Sequence, residues 1–151
     1  MDNKLRNINL ALLQLTKRED ELYHRYGTSC GLSDPALWIL YTLYLDEGKA
    51  YTQNDLVTMW FHPKQTINYT VNSLVKKGWL ALEHVPGARN SKAIRLTEEG
   101  RRQCQEKIRP LMDAEDTALL GLTETERDLL VKLYGSLLNS FEGAIQKIIG
   151  E

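Results

Sequence analysis

Apolar residues return at helical spacing along most of this chain, and the interruptions mark out its elements. Leu5, Ile8, Leu12, Leu15, Leu22 and Tyr26 follow a three-and-four spacing, broken once by Glu19, which predicts a helix over about 4–26. Leu10 and Leu13 add apolar surface beside that seam. Gly27 and Gly31 break the pattern. Ser33-Asp34-Pro35 then opens a second helix, with a capping residue and a proline in the first turn. Leu37, Trp38, Ile39, Leu40, Tyr41, Leu43, Tyr44 and Leu45 crowd almost every face, as expected of a central, buried helix that ends by Gly48. Thr52 caps a short third helix reaching about Trp60, with Leu56, Val57 and Trp60 inward and Tyr51 placed as a staple.

The next stretch differs in kind. Over 63–77 the apolar residues Ile67, Val71, Leu74 and Val75 form one helical face. Gln65, Asn68, Tyr69, Asn72 and Lys76 form another, rich in amide and hydroxyl groups and free of acids. Pro63 suits a first helical position and Gly78 the left-handed position past the end. Trp79 to Val85 and Lys92 to Leu96 then alternate in and out, which predicts a β-hairpin with its tip at Pro86-Gly87-Ala88-Arg89-Asn90-Ser91. A short helix, a brief turn and a helix with a polar outer face is the arithmetic of a helix-turn-helix, and the hairpin makes a wing. His62, in the turn, is expected to serve as a cap or a phosphate contact.

Beyond the hairpin, Thr97-Glu98-Glu99 caps a long helix running to about Leu120, and Pro110 should kink it near 106–109. Thr123 to Glu126 reads as a capping box. The last helix shows Leu130, Leu133, Tyr134, Leu137, Leu138, Phe141, Ile145, Ile148 and Ile149 as a strong apolar stripe. Apolar stripes on both terminal helices point to their packing together, as a dimer interface or, less favoured, within one subunit. The fold class expected is mainly α with a small β-wing, a winged helix-turn-helix over 32–97 and a helical dimerisation region over 1–31 and 98–151.

Charge sharpens this picture. His62 to Thr97 holds six basic residues (Lys64, Lys76, Lys77, Arg89, Lys92 and Arg95) and one acid, Glu83, for a net +5 inside a chain of net −1. A local basic face on an acidic protein is the footprint of nucleic-acid binding; an ordinary solvated helix and hairpin is the plainer alternative. A winged-helix module that docks an acidic protein partner, without DNA, is the second functional reading. At 151 residues, 42% hydrophobic and 26% charged, the chain has ordinary globular composition. It shows no apolar run of membrane-spanning length and no signal peptide, so a cytoplasmic location is expected. Cys30 and Cys104 lack Cys or His at ligand spacing, so neither a metal nor any other cofactor is expected, and an oxidant-sensing thiol is a minor alternative. His24, His62 and His84 have no nucleophile or acid at motif spacing, and no glycine-rich phosphate loop follows a strand, so no enzyme is expected.

Thr52 to Leu56, Gln65 to Asn68, Leu74 to Leu80 and the wing ending Arg95-Leu96-Thr97-Glu98-Glu99-Gly100 together resemble the MarR family of winged-helix transcription regulators, over nearly the whole chain. The resemblance implies a triangular homodimer that grips palindromic double-stranded DNA. It also implies a small aromatic or anionic effector that binds between the dimerising and DNA-binding parts and releases the DNA, most simply from a repressor. Arg89 matches the arginine that such proteins place in the minor groove, although Ala88 and Asn90 flank it here in place of an acid. Asn68 and Tyr69 stand where Thr and Arg are more usual. The expected DNA contacts are therefore Gln65, Thr66, Asn68 and Tyr69 near base edges or phosphates, Lys64 and Asn72 on phosphates, and Arg89 and Lys92 on the wing. Trp38 and Tyr41 are the candidates for an effector pocket, set against the stronger expectation that they are core.

Overall fold

A computed structural model describes residues 2–150. The order is α1 (Asn3–Ser29), α2 (Asp34–Leu45), α3 (Gln53–Trp60), α4 (Lys64–Lys76), β1 (Leu80–His84), β2 (Lys92–Leu96), α5 (Glu98–Lys107), α6 (Arg109–Leu120) and α7 (Glu124–Ile149). It is mainly helical, with one two-stranded antiparallel wing and long first and last helices. The chain divides into compact units at Met1–Leu111 and Met112–Glu151.

In the first unit, α2 is the central element. Ser33 Oγ accepts from the Ala36 N–H at its start, and Leu37, Ile39, Leu40 and Leu43 are buried along it. It packs on α1, α4, α5 and β2. Leu56 from α3, Ile67, Val71 and Leu74 from α4, Ile94 from β2 and Cys104 and Ile108 at the end of α5 complete the core. Each fully buried Leu or Ile contributes on the order of 1.5–3 kcal/mol relative to exposure. Leu45 departs from the expected all-round burial of α2: it is exposed at the last turn, where the helix has run past its neighbours.

The helix-turn-helix is held by local chemistry. Thr52 and Asp55 form a reciprocal capping box at the start of α3. Phe61 ends that helix at φ 55°, a left-handed conformation uncommon outside glycine, and its ring is 92% exposed. The expectation that His62 caps α4 is not met. The N-cap is Pro63, displaced by one from its expected place inside the helix, and no side chain caps the end.

The backbones of α4, β1 and α5 meet closely at one junction. Gly78 takes φ 78°, and the Trp79 N–H reaches back to the Leu74 carbonyl at 3.0 Å, closing α4. Thr97 Oγ1 donates to the Gly78 carbonyl at 2.5 Å and accepts from the Gly100 N–H at 3.0 Å. Gly100 lies so close that a Cβ there would stand 1.9 Å from the Trp79 carbonyl oxygen. The wing is registered Leu80 to Leu96 through His84 to Lys92. It is pinned at its base by a 2.7 Å bond from the Ile94 N–H to the Tyr51 carbonyl, just before α3.

Two expected boundaries move. Gly27 does not break α1: the helix passes through it to Ser29, and Gly27 is buried where a Cβ would meet the Leu32 carbonyl at 3.4 Å and the Leu37 side chain at 3.6 Å. A side chain's first carbon would make ordinary contact there, so α1 packs on the start of α2 without requiring a glycine. Pro110 does more than kink the long helix: α5 and α6 are separate, with Ile108 between them. Tyr26 anchors the end of α1 by donating to the Lys107 carbonyl at 2.8 Å.

In the second unit, Thr123 and Glu126 form the expected capping box, and α7 runs 26 residues with none of them buried. Leu130, Leu133, Leu137, Leu138, Phe141, Ile148 and Ile149 are all exposed. In the first unit, Leu5, Ile8, Leu10, Leu13, Leu15 and Leu22 of α1 are exposed as well.

Candidate nucleic-acid interface

The outer face of α4 is built by the same periodicity that buries its inner face. Ile67, Val71 and Leu74 point into the core, which leaves Lys64, Gln65, Asn68, Tyr69, Asn72, Ser73 and Lys76 to line one open groove. Lys64, Gln65, Asn68 and Asn72 are exposed, and Tyr69 is 77% exposed. The helix begins without a side-chain cap and without an acid in its first turn. Its first N–H groups and the positive end of its dipole are therefore turned to solvent beside Lys64, an arrangement that favours an anion.

Within this face the amides are ordered. Asn72 Nδ2 donates to Asn68 Oδ1 at 3.0 Å, and Asn68 Nδ2 donates to Gln53 Oε1 at 3.1 Å. Gln53 is the first residue of α3 and was not singled out from the sequence; a contact fifteen positions away leaves no trace in periodicity. Thr66 is half-buried, its carbonyl accepting from Thr70 Oγ1 at 2.7 Å, and it stands beside the groove rather than in it.

Arg89 and Lys92 are exposed but lie on the wing, Arg89 in its tip and Lys92 at the first position of β2. The tip is closed by a 3.2 Å bond from the Ala88 N–H to the Val85 carbonyl. Two other cations of this basic stretch are engaged elsewhere. Arg95 pairs with Glu83 at 3.3 Å across the wing, and the Lys77 ammonium lies 5.1 Å from the Trp79 ring centre.

Trp38 sits in an aromatic cluster. Its ring stacks on Trp60 at 4.7 Å and 21°, meets Tyr23 at 4.7 Å and turns an edge to Tyr41 at 5.6 Å. These rings join α1, α2 and α3, and Trp38 and Tyr41 are half-buried among them. Cys104 is fully buried and its thiol is pushed up to about 12 by burial, so it is a poor thiolate. Cys30 is half-buried beside Ser29. His24 has a partner that motif spacing did not reveal, Asp34 at 2.9 Å, in an exposed pair at the start of α2. Among the described residues no cluster of three or more His, Cys, Asp or Glu is placed to hold a metal, and no helix is long and apolar enough to cross a membrane.

A helix-turn-helix with a basic, acid-free second helix, followed by a two-stranded wing and flanked by long helices, has the architecture of a winged-helix transcription regulator. Residues 31–89 match the sequence model of the MarR family. The HTH-type transcriptional repressor YetL of Bacillus subtilis (strain 168) is 22% identical over 128 residues, covering 85% of this chain and 77% of that protein. NMB1585, a MarR family regulator from Neisseria meningitidis, has the same fold, with a TM-score of 0.79 at 19% identity over 96% of this chain and 98% of that one. MepR from S. aureus in complex with DNA gives 0.70 at 16% identity over 89% and 97% of the two chains. Residues 31–89 thus carry the match to the MarR family, and over most of its length the chain is a distant homologue of the repressor YetL with the fold of MarR family regulators.

Proposed function

We propose that this chain is a homodimeric, sequence-specific repressor that reads a palindromic operator with α4 and its wing. One observation carries the reading: the outward face of α4 presents Lys64, Gln65, Asn68, Tyr69 and Asn72 in one groove on an uncapped, acid-free helix start. Gln65, Asn68 and Tyr69 go to base edges, with Thr66 at their margin. Lys64 and Asn72 go to phosphates, which position the protein without specifying sequence. Arg89 enters the adjacent minor groove, where narrow A·T-rich tracts attract arginine, and Lys92 supports it on the backbone.

Residues 32–97 form the DNA-binding region, and 1–31 with 98–151 form the dimerising region. The exposed apolar faces of α1 and α7 support a second copy as their cover. Two lobes then address half-sites about one helical turn, roughly 34–36 Å, apart. A small aromatic or anionic effector that prefers lobes held at another spacing shifts the population off DNA. The cluster around Trp38 and Tyr41, which joins α1 to the helix-turn-helix, is the place where such a ligand would be felt. A cytoplasmic location goes with the DNA partner.

The test is binding of a labelled duplex from upstream of the protein's own gene against a scrambled duplex. Preference for the upstream duplex supports the reading. Absence of binding to either, by folded protein, moves it to a protein-interaction module.

A further inference from the structure

The amides on α4 are hydrogen-bonded to one another and to α3. Asn68 is exposed on the reading face. An isolated surface asparagine can present its amide in either of two orientations and so recognises nothing in particular. Here both ends are committed: its Nδ2 donates to Gln53 Oε1 at 3.1 Å, and its Oδ1 accepts from Asn72 Nδ2 at 3.0 Å. The backbone that carries Gln53 is held, because it is the first residue of a helix whose start is locked by the Thr52 and Asp55 capping box. Valence then settles what Asn68 has left. A primary amide has two N–H donors and two carbonyl lone pairs, and one of each is used. One donor and one acceptor remain, whichever way the three amides run, because each bond in the chain joins one amide N–H to one amide oxygen.

We propose that Gln53 is a positioning residue that orients Asn68 to read adenine, a role that rests on the DNA-reading assignment of α4. In the major groove only adenine offers an acceptor and an amino donor on one base, N7 and N6, which the spare donor and acceptor of Asn68 match. Guanine presents two acceptors and sets one against Oδ1. Thymine presents an acceptor and a methyl group, and cytosine a donor alone. Two hydrogen bonds restrain the Asn68 amide before DNA arrives, which lowers the ordering cost of binding. Gln53 touches no base in this scheme; it acts through Asn68.

The test is selection of duplexes from a randomised library by the full-length protein and by Gln53→Ala, Gln53→Glu and Asn68→Ala, with preference scored at each position. The wild type should select an adenine in each half-site, and Asn68→Ala should lose preference at that position by roughly 5- to 150-fold, the range of one bidentate base contact. Gln53→Ala should lose preference at the same position and keep it elsewhere. Gln53→Glu, whose carboxylate still accepts from Asn68 Nδ2, should restore that preference while weakening all duplexes alike through its added charge. A clear selected site whose positional preferences are unchanged by Gln53→Ala, or reduced evenly by it, overturns the positioning role alone. So does a base other than adenine at the position Asn68→Ala affects. A wild type that selects no sequence overturns the DNA-reading assignment and this role with it.

Discussion

Trp60 Nε1 donates a 2.7 Å hydrogen bond to Thr42 Oγ1, joining the last residue of α3 to the middle of α2. Thr42 is buried, and the same oxygen donates to the Trp38 carbonyl at 2.7 Å. Trp60 also stacks on Trp38, so one indole is fixed by both its face and its N–H. This contact ties the end of α3 to α2, immediately before the turn into α4.

Replacing either partner should show this. Trp60→Phe keeps a ring but leaves the Thr42 oxygen one bond short, and Thr42→Val leaves the Trp60 N–H without its acceptor. Each should destabilise by about 1–3 kcal/mol, the cost of stranding a buried polar group. Urea denaturation of both and of the double variant should give clearly less than additive losses; strict additivity would show the bond to be unimportant.

Gly100 admits no side chain. A Cβ at 1.9 Å from the Trp79 carbonyl oxygen cannot be absorbed by a rotamer change, because the obstacle is backbone. Gly100→Ala should therefore push α5 off the start of the wing and destabilise by more than about 3 kcal/mol, at the exceptional end of single substitutions. Thermal unfolding checks it: an unchanged midpoint would mean that α5 can shift at little cost.

His24 gives a pH signature. The hydrogen bond to Asp34, with the carboxylate's charge, raises its pKa above 6.5. A raised folded-state value means that the pair's contribution is fully present below about pH 6.5 and is lost as pH climbs through the folded pKa. The pair is exposed, so the readout is the imidazole itself. An NMR titration should place His24 above 6.5, and Asp34→Asn should lower it; an unmoved titration would remove the pair.

Phe141 tests the dimer. It is 59% exposed in a helix that buries nothing, so a glutamate there should cost the isolated subunit little. In a dimer it would place a charge in an apolar seam. Phe141→Glu should shift sedimentation from dimer to monomer, and a variant that remains dimeric would place the interface elsewhere.

Much of this fold was legible because its signals are local. Ile67, Val71 and Leu74 return at helical spacing and are buried, and Thr123 with Glu126 makes the capping box its spacing suggests. The break at Pro110 follows from a missing donor within one turn. What escaped depends on a neighbour distant in sequence. Gly27 looks like a helix breaker, but α1 runs through it to Ser29, its end held by Tyr26 on the Lys107 carbonyl. The Tyr23 and Trp60 rings that meet Trp38 come from other helices, which spacing along α2 does not show. The polar face of α4 was legible as a face, but its ordering by Gln53 was not, since that requires α3 and α4 to be placed side by side. His62 failed as a cap because Pro63 takes that position.

The salt dependence of DNA binding by wild type and Lys64→Ala tests the central claim most directly. Anisotropy with the upstream and scrambled duplexes, from low to physiological salt, should give a steep line for the wild type and tighter binding of the upstream duplex. Lys64→Ala should weaken both duplexes alike and flatten the slope by about 0.9, the loss of one phosphate contact. A slope untouched by Lys64→Ala, or a folded wild type that binds neither duplex, would contradict the account.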